Sequence, residues 1–132
     1  YFLNILASVL AKIILLKKKA LLIPLSDPLV TEFIEFLNIH YLDKKVVDLF
    51  LEKKNISKLS FSRILKQAAN TTPGHLVKEK LHLEAKKMLY TSELSVKEIA
   101  YKLEFEDESY FCKLFKQSEG ISPNAFRKKS RL

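Results

Sequence analysis

Apolar residues along the chain recur every three or four positions rather than every second one, a spacing that predicts helices throughout. In residues 1–23, Phe2, Leu6, Val9, Ile13 and Leu16 alternate steps of four and three, which predicts a helix with one apolar stripe facing a partner. Pro24 stops that element. Ser26-Asp27-Pro28 then offers a capping side chain followed by proline, the signature of a helix start, and Phe33, Ile34, Leu37 and Tyr41 give the apolar face of a helix over about 28–42. The charges around this helix, Glu32, Glu35 and Asp43, are acidic, so it reads as a linker or packing element.

From Lys44 onward the chain repeats itself with a shift of 50 positions. Phe61-Ser62-Arg63-Ile64-Leu65-Lys66-Gln67 aligns with Phe111-Cys112-Lys113-Leu114-Phe115-Lys116-Gln117, and further on Asn70 meets Gly120, Thr72-Pro73 meets Ser122-Pro123, Leu76 meets Phe126 and Lys78 meets Lys128. In the second copy Ser95 caps a short helix with Val96, Ile99, Ala100 and Leu103 on one face; Glu104-Phe105 breaks it, and a second helix starts near Asp107. Small Ala100 lets the two helices cross closely, as a helix-turn-helix requires. The first copy has the same plan with a turn one residue shorter: Val47, Phe50 and Leu51, then Asn55-Ile56, then Ser57 as cap. Between the copies, Thr72-Pro73 opens a helix to about Tyr90, with Leu76, Leu81, Leu83, Ala85, Met88 and Leu89 as apolar positions. At about 1.5 Å per residue it is roughly 27 Å long, a spacer suited to holding two reading helices about 34 Å apart. The expected fold is all-α: two helix-turn-helix units joined by a long central helix, preceded by a linker helix and an N-terminal apolar helix. Residues 1–25 are expected to end an upstream domain or to form a dimerisation helix, and 26–132 to form one domain.

Composition narrows the function. Lys and Arg number 23 against 15 Asp and Glu, giving a net charge of +8 that suits a polyanion. Asn4, Ser8 and Lys12 interrupt the N-terminal apolar run, so a membrane span is disfavoured. One cysteine excludes an internal disulfide framework and fits a reducing cytoplasm. With only Gly74 and Gly120 there is no glycine-rich phosphate loop, and no nucleophile-base-acid set is apparent, so catalysis and bound cofactors are not expected. His75, Glu79 and His82 share a helix face, yet they form no metal motif and no further ligand lies close by, so no metal is expected. Phe61, Phe111 and Phe115 fall at core spacing rather than as stacking platforms, and Cys112 reads as a small outward residue where the other copy has Ser62, in preference to a redox switch. The first residue is Tyr1 rather than Met, so the chain is expected to be a piece of a longer protein.

The stretch Leu94-Ser95-Val96-Lys97-Glu98-Ile99-Ala100 through Phe105, with Ser109-Tyr110-Phe111, Phe115-Lys116, Gly120 and Ser122-Pro123, closely resembles the second helix-turn-helix signature of the AraC/XylS family; the first copy resembles that family's first unit more loosely. The resemblance covers about residues 44–129 and implies a seven-helix domain that binds double-stranded DNA in the bacterial cytoplasm at the nucleoid, regulates transcription and meets RNA polymerase. It implies recognition helices over about 57–67 and 107–118 in successive major grooves. Carried over by position, base contacts fall on Lys58, Leu59, Ser62 and Arg63 in the first unit and on Glu108, Ser109, Cys112 and Lys113 in the second. Arg63 suits guanine O6 and N7, and Leu59 suits a thymine methyl. Lys66, Lys116 and the caps Ser57, Ser95 and Ser122 are expected on phosphates. Glu104 stands where the family commonly has glycine, and Asn70 replaces the glycine matched by Gly120; Glu104, Glu106, Asp107 and Glu108 together predict weaker binding by the second unit. Alongside DNA binding, residues 1–23 are a candidate homodimer contact; the competing expectation is a helical interaction module that binds protein through residues 1–23, its basic charge incidental.

Overall fold

The computed structural model describes residues 27–132. The apolar stripe over 1–23, and with it the expected segment 1–25, lies outside the described residues. Among the described residues there are seven helices in the order α1 (Pro28–His40), α2 (Val46–Lys54), α3 (Lys58–Ala69), α4 (Pro73–Thr91), α5 (Val96–Lys102), α6 (Glu108–Glu119) and α7 (Pro123–Ser130). Each expected helix of this region is present, with ends displaced by at most a residue or two. The described chain divides into two compact units, residues 27–80 and 81–132, and α4 contributes its first part to one and its second part to the other.

The first unit is built on three phenylalanines. Phe33 of α1 meets Phe50 of α2 and Phe61 of α3 edge-on, with ring centroids 5.1 Å apart in both pairs, and Phe50 and Phe61 pack at a tilt with centroids 5.5 Å apart. Edge-to-face geometry places the positive rim of one ring on the negative face of the next and adds about 0.5–1.5 kcal/mol per pair beyond burial. Val30, Leu37, Val46, Leu51 and Leu65 complete the buried set, and Leu76 and Val77 of α4 pack against it. The helix at 28–40 is therefore a full member of this core. Its Glu32 also pairs with Lys54 of α2.

In the second unit, Leu83, Ala85, Leu89 and Tyr90 of α4 are buried together with Val96, Ile99, Ala100, Leu103, Phe111 and Phe115. Ala100 is 1% exposed and its helix α5 packs on α6. The last helix is clamped to the end of α4. Arg127 donates from Nε to the Leu89 carbonyl at 2.9 Å and Arg131 donates from Nη2 to the Ser92 carbonyl at 2.6 Å, satisfying acceptors that a helix end otherwise leaves to water. Burial first, and the neighbouring Arg131 charge second, lower the proton affinity of Arg127.

Candidate nucleic-acid interface

The helices α3 and α6 each have 12 residues and occupy positions 58–69 and 108–119, the same shift of 50 seen in the sequence. Capping explains why both start and stop where they do. Ser57 Oγ accepts from the Ser60 amide at 3.1 Å, and Asp107 Oδ1 accepts from the Tyr110 amide at 2.7 Å. At the other end Asn70 (φ 50°) and Gly120 (φ 86°) adopt the left-handed conformation, and their amides donate to Lys66 and Lys116 carbonyls. The turns ahead of them are a matched pair as well. In the first, Asn55 (φ 51°) donates to Glu52 and Ile56 to Leu51; in the second, Glu104 (φ 61°) donates to Tyr101 and Phe105 to Ala100. Both are Schellman closures. Glu104 thus holds a backbone that favours glycine, as its departure from the family pattern predicts.

One face of each reading helix is buried, by Phe61 and Leu65 in α3 and by Phe111 and Phe115 in α6, so these aromatics are core. The sequence-predicted contact residues occupy the other faces. Lys58, Leu59, Arg63 and Lys66 are exposed and Ser62 is half-buried; Glu108, Ser109, Lys113 and Lys116 are exposed and Cys112 is half-buried. Leu59 is 63% exposed in the first turn of α3, an apolar side chain for which the first unit offers no packing role. Two exposed residues were missed: Ser60, whose Oγ accepts from Ser57 Oγ at 2.9 Å, and Tyr110, which sits 50 positions later on the same turn. Nothing but the repeat register marks them in the sequence.

The two edges differ in charge. The α3 edge carries Lys58, Arg63 and Lys66, whereas the α6 edge sets Lys113 and Lys116 against Glu108, with Glu104, Glu106 and Asp107 in the turn before it. Burial, and then the Glu108 charge, push the Cys112 thiol up, away from the reactive thiolate. A thiol held protonated here is a small, weakly polar contact.

Among the expected phosphate contacts, Ser57 and Ser122 use only their hydroxyls as caps, the latter accepting from the Ala125 amide at 3.1 Å. Ser95 differs. Its Oγ accepts from the Glu98 amide and its own amide donates to Glu98 Oε1, both at 3.0 Å, so an acidic side chain already occupies that helix start. These hydrogen bonds, the backbone one first, hold the Glu98 carboxyl below the usual carboxylate range. Of the residues weighed as a metal group, His75 Nε2 lies 3.1 Å from Glu79 Oε1, while His82 turns to Glu119 instead; no metal-binding group occurs among the described residues. No helix among them is long and apolar enough to cross a membrane.

Comparison with known proteins agrees with this geometry. The family model of the helix-turn-helix domain matches residues 51–129, more than half of the chain. A curated relative from Bacillus subtilis (strain 168), the HTH-type transcriptional regulator YisR, is 33% identical over 114 residues; the match takes in 86% of this chain and 40% of the relative, so the chain spans well under half of that protein's length. Among solved structures, the C-terminal domain of AraT, a response regulator from Geobacillus stearothermophilus, superposes with a TM-score of 0.72 at 27% identity, covering 78% of this chain and 86% of that one. The DNA-binding domain of AdpA, a global transcriptional factor solved in complex with a target DNA, gives 0.70 at 26% identity over 80% of this chain and 94% of its own. The paired helix-turn-helix units, their shared register and these matches together place the chain in the AraC/XylS-type helix-turn-helix family.

Proposed function

We propose that the chain is the DNA-binding part of a transcription regulator and binds duplex DNA sequence-specifically, with α3 and α6 inserted in successive major grooves of one site. The observation that carries this is the duplicated presentation: two helices of equal length, capped at both ends, each burying one face and offering side chains at matching positions on the other. An edge of this kind fits the major groove, which admits a helix and displays a distinct donor and acceptor pattern for every base pair. The likeness to the AdpA domain, itself solved with a target DNA, supports the same reading.

Lys58, Leu59, Ser62 and Arg63 would then meet base edges from α3, and Glu108, Ser109, Cys112 and Lys113 from α6. Ser57, Lys66, Lys116 and Ser122 would hold phosphates, and Ser95, with Glu98 already on its amide, would contribute least. Residues 26–132 form the DNA-binding domain in this reading; residues 1–25 lead from an upstream domain or join two copies; RNA polymerase is the protein partner, and the cytoplasm at the nucleoid is the place of action.

The experiment is selection of bound fragments from random duplexes, followed by affinity measurements on the selected site. Arg63→Ala should cost about 1–3 kcal/mol there and relax the base preference at one position. Lys66→Ala should weaken binding to all sequences and reduce the salt slope by about one unit. A chain that enriches no sequence, or an Arg63→Ala variant with unchanged preference, would end this reading. Deletion of residues 1–23 should abolish self-association and spare binding to a single site.

A further inference from the structure

Lys86 is 3% exposed, a degree of burial that lysine adopts only when its charge is paired. The pairing runs to Glu119: Nζ lies 2.7 Å from Oε1, and the same ammonium stands 5.4 Å from the ring centroid of Phe126. One turn earlier on α4, His82 brings Nε2 to 3.5 Å from that oxygen, with its ring 4.7 Å from Phe115. Glu119 is the last residue of α6, immediately before the left-handed cap Gly120. One carboxylate therefore ties the final turn of the second reading helix to Lys86 of α4, with the His82 ring close beside it.

A buried ion pair adds little net stability, because removing both charges from water offsets most of their attraction; what it imposes is a place where the partners must meet. The aromatic contacts of α6, Phe111 on Phe115 and Phe115 on Phe126, have preferred ring geometries but broader optima than an ion pair, so they tolerate a small slide or roll of the helix. The first unit has no counterpart, since the residue 50 positions before Glu119 is Ala69. The second unit is also the one with acidic residues on and before its reading edge. Phosphate attraction steers it less, so its discrimination depends more on where the base-facing side chains point.

We infer that Lys86, Glu119 and His82 are positioning residues that fix the orientation of α6 and, through it, the base discrimination exercised from Glu108, Ser109, Cys112 and Lys113. This rests on the DNA-binding reading proposed above.

The test uses the full chain on its selected duplex and on single-base variants of it. Loss of preference in Arg63→Ala and Lys113→Ala assigns bases to the α3 and α6 segments. Two variants then probe the pair. Lys86→Met/Glu119→Leu replaces both charges with apolar volume, a change that commonly preserves stability, and Glu119→Gln keeps the shape while removing only the charge. Discrimination in the α6 segment should fall by about fivefold or more in both, while the α3 segment stays within about twofold of wild type. The double variant should keep the wild-type thermal midpoint, and Lys86→Arg should keep the discrimination. Unchanged preference in the α6 segment, or an equal fall in both segments, overturns the inference. A wild-type chain with no sequence preference at all would instead remove the DNA-binding reading, and this inference with it.

Discussion

Replacing Glu104 with glycine should stabilise the chain, and the size of the gain is set by its backbone. Glu104 has φ 61° and closes α5 with amide bonds of 2.9 Å from Glu104 to Tyr101 and from Phe105 to Ala100. A Cβ in that conformation costs about 1–2 kcal/mol. Glycine removes the strain and loses about 0.5–1 kcal/mol through its greater freedom in the unfolded chain, leaving a net gain between about 0 and 1.5 kcal/mol, centred on roughly 0.75 kcal/mol. The exposed carboxylate also lies at the negative end of α5, where an anion is unfavourable by about 0.3–1 kcal/mol. Glu104→Ala isolates that contribution, because alanine keeps the Cβ and loses the charge. Urea unfolding followed by far-ultraviolet circular dichroism should therefore rank the variants glycine, alanine, glutamate from most to least stable. Both should bind non-specific duplex more tightly than wild type, and to the same extent, since they lose the same charge. If the glycine variant is no more stable than the alanine variant, the left-handed strain assigned to this turn is wrong.

Three further outcomes can be checked on the same material. Gly120→Ala should destabilise by about 1 kcal/mol, and Gly120→Asn by clearly less, because Asn70 holds the same conformation at φ 50° and a Cβ on Gly120 meets no atom within 4 Å; equal losses in chemical denaturation would contradict this. Arg127→Met should cost about 1.5–3 kcal/mol, and adding Arg131→Met should cost more than the separate losses summed, since both guanidinium groups serve the Leu89 and Ser92 carbonyls; simple additivity would show that neither substitutes for the other. Glu98 has a depressed folded-state carboxyl, so its contribution is present above the unfolded carboxylate value and fades as pH falls through the folded one. The stability difference between wild type and Glu98→Gln should shrink on acidification below the ordinary carboxylate range, and a pH-independent difference would rule out the capping-box linkage.

Much of the fold was legible because its determinants are local. Caps at Asp27, Ser57, Ser95, Asp107 and Ser122 precede apolar residues at helical spacing, and each is a cap in the structure. The register of the repeat also carried the two reading edges, because residues 50 apart had to share an environment. The features that escaped are non-local. Lys86 and Glu119, or Arg127 and the Leu89 carbonyl, lie more than thirty residues apart in the chain and meet only when α4 packs with the later helices. A lysine in the middle of α4 gives no hint in the sequence that it is buried or what its partner is, and Tyr90, placed by the sequence only at the helix end, is buried beside Leu89. The acidic charges of α1 leave it open between a linker and a packing element, and the hidden Val30, Phe33 and Leu37 make it one wall of the first core.

The left-handed residue falls nine positions after the first helical residue in one turn, Val46 to Asn55, and eight in the other, Val96 to Glu104. Yet the next helix begins at the same repeat position, Lys58 and Glu108, because the shorter helix is succeeded by a longer link. Residues can thus be exchanged between a helix end and its loop without altering the phase of the helix beyond. The corner of such a unit therefore differs between the copies while the helix beyond it keeps the same place in the repeat.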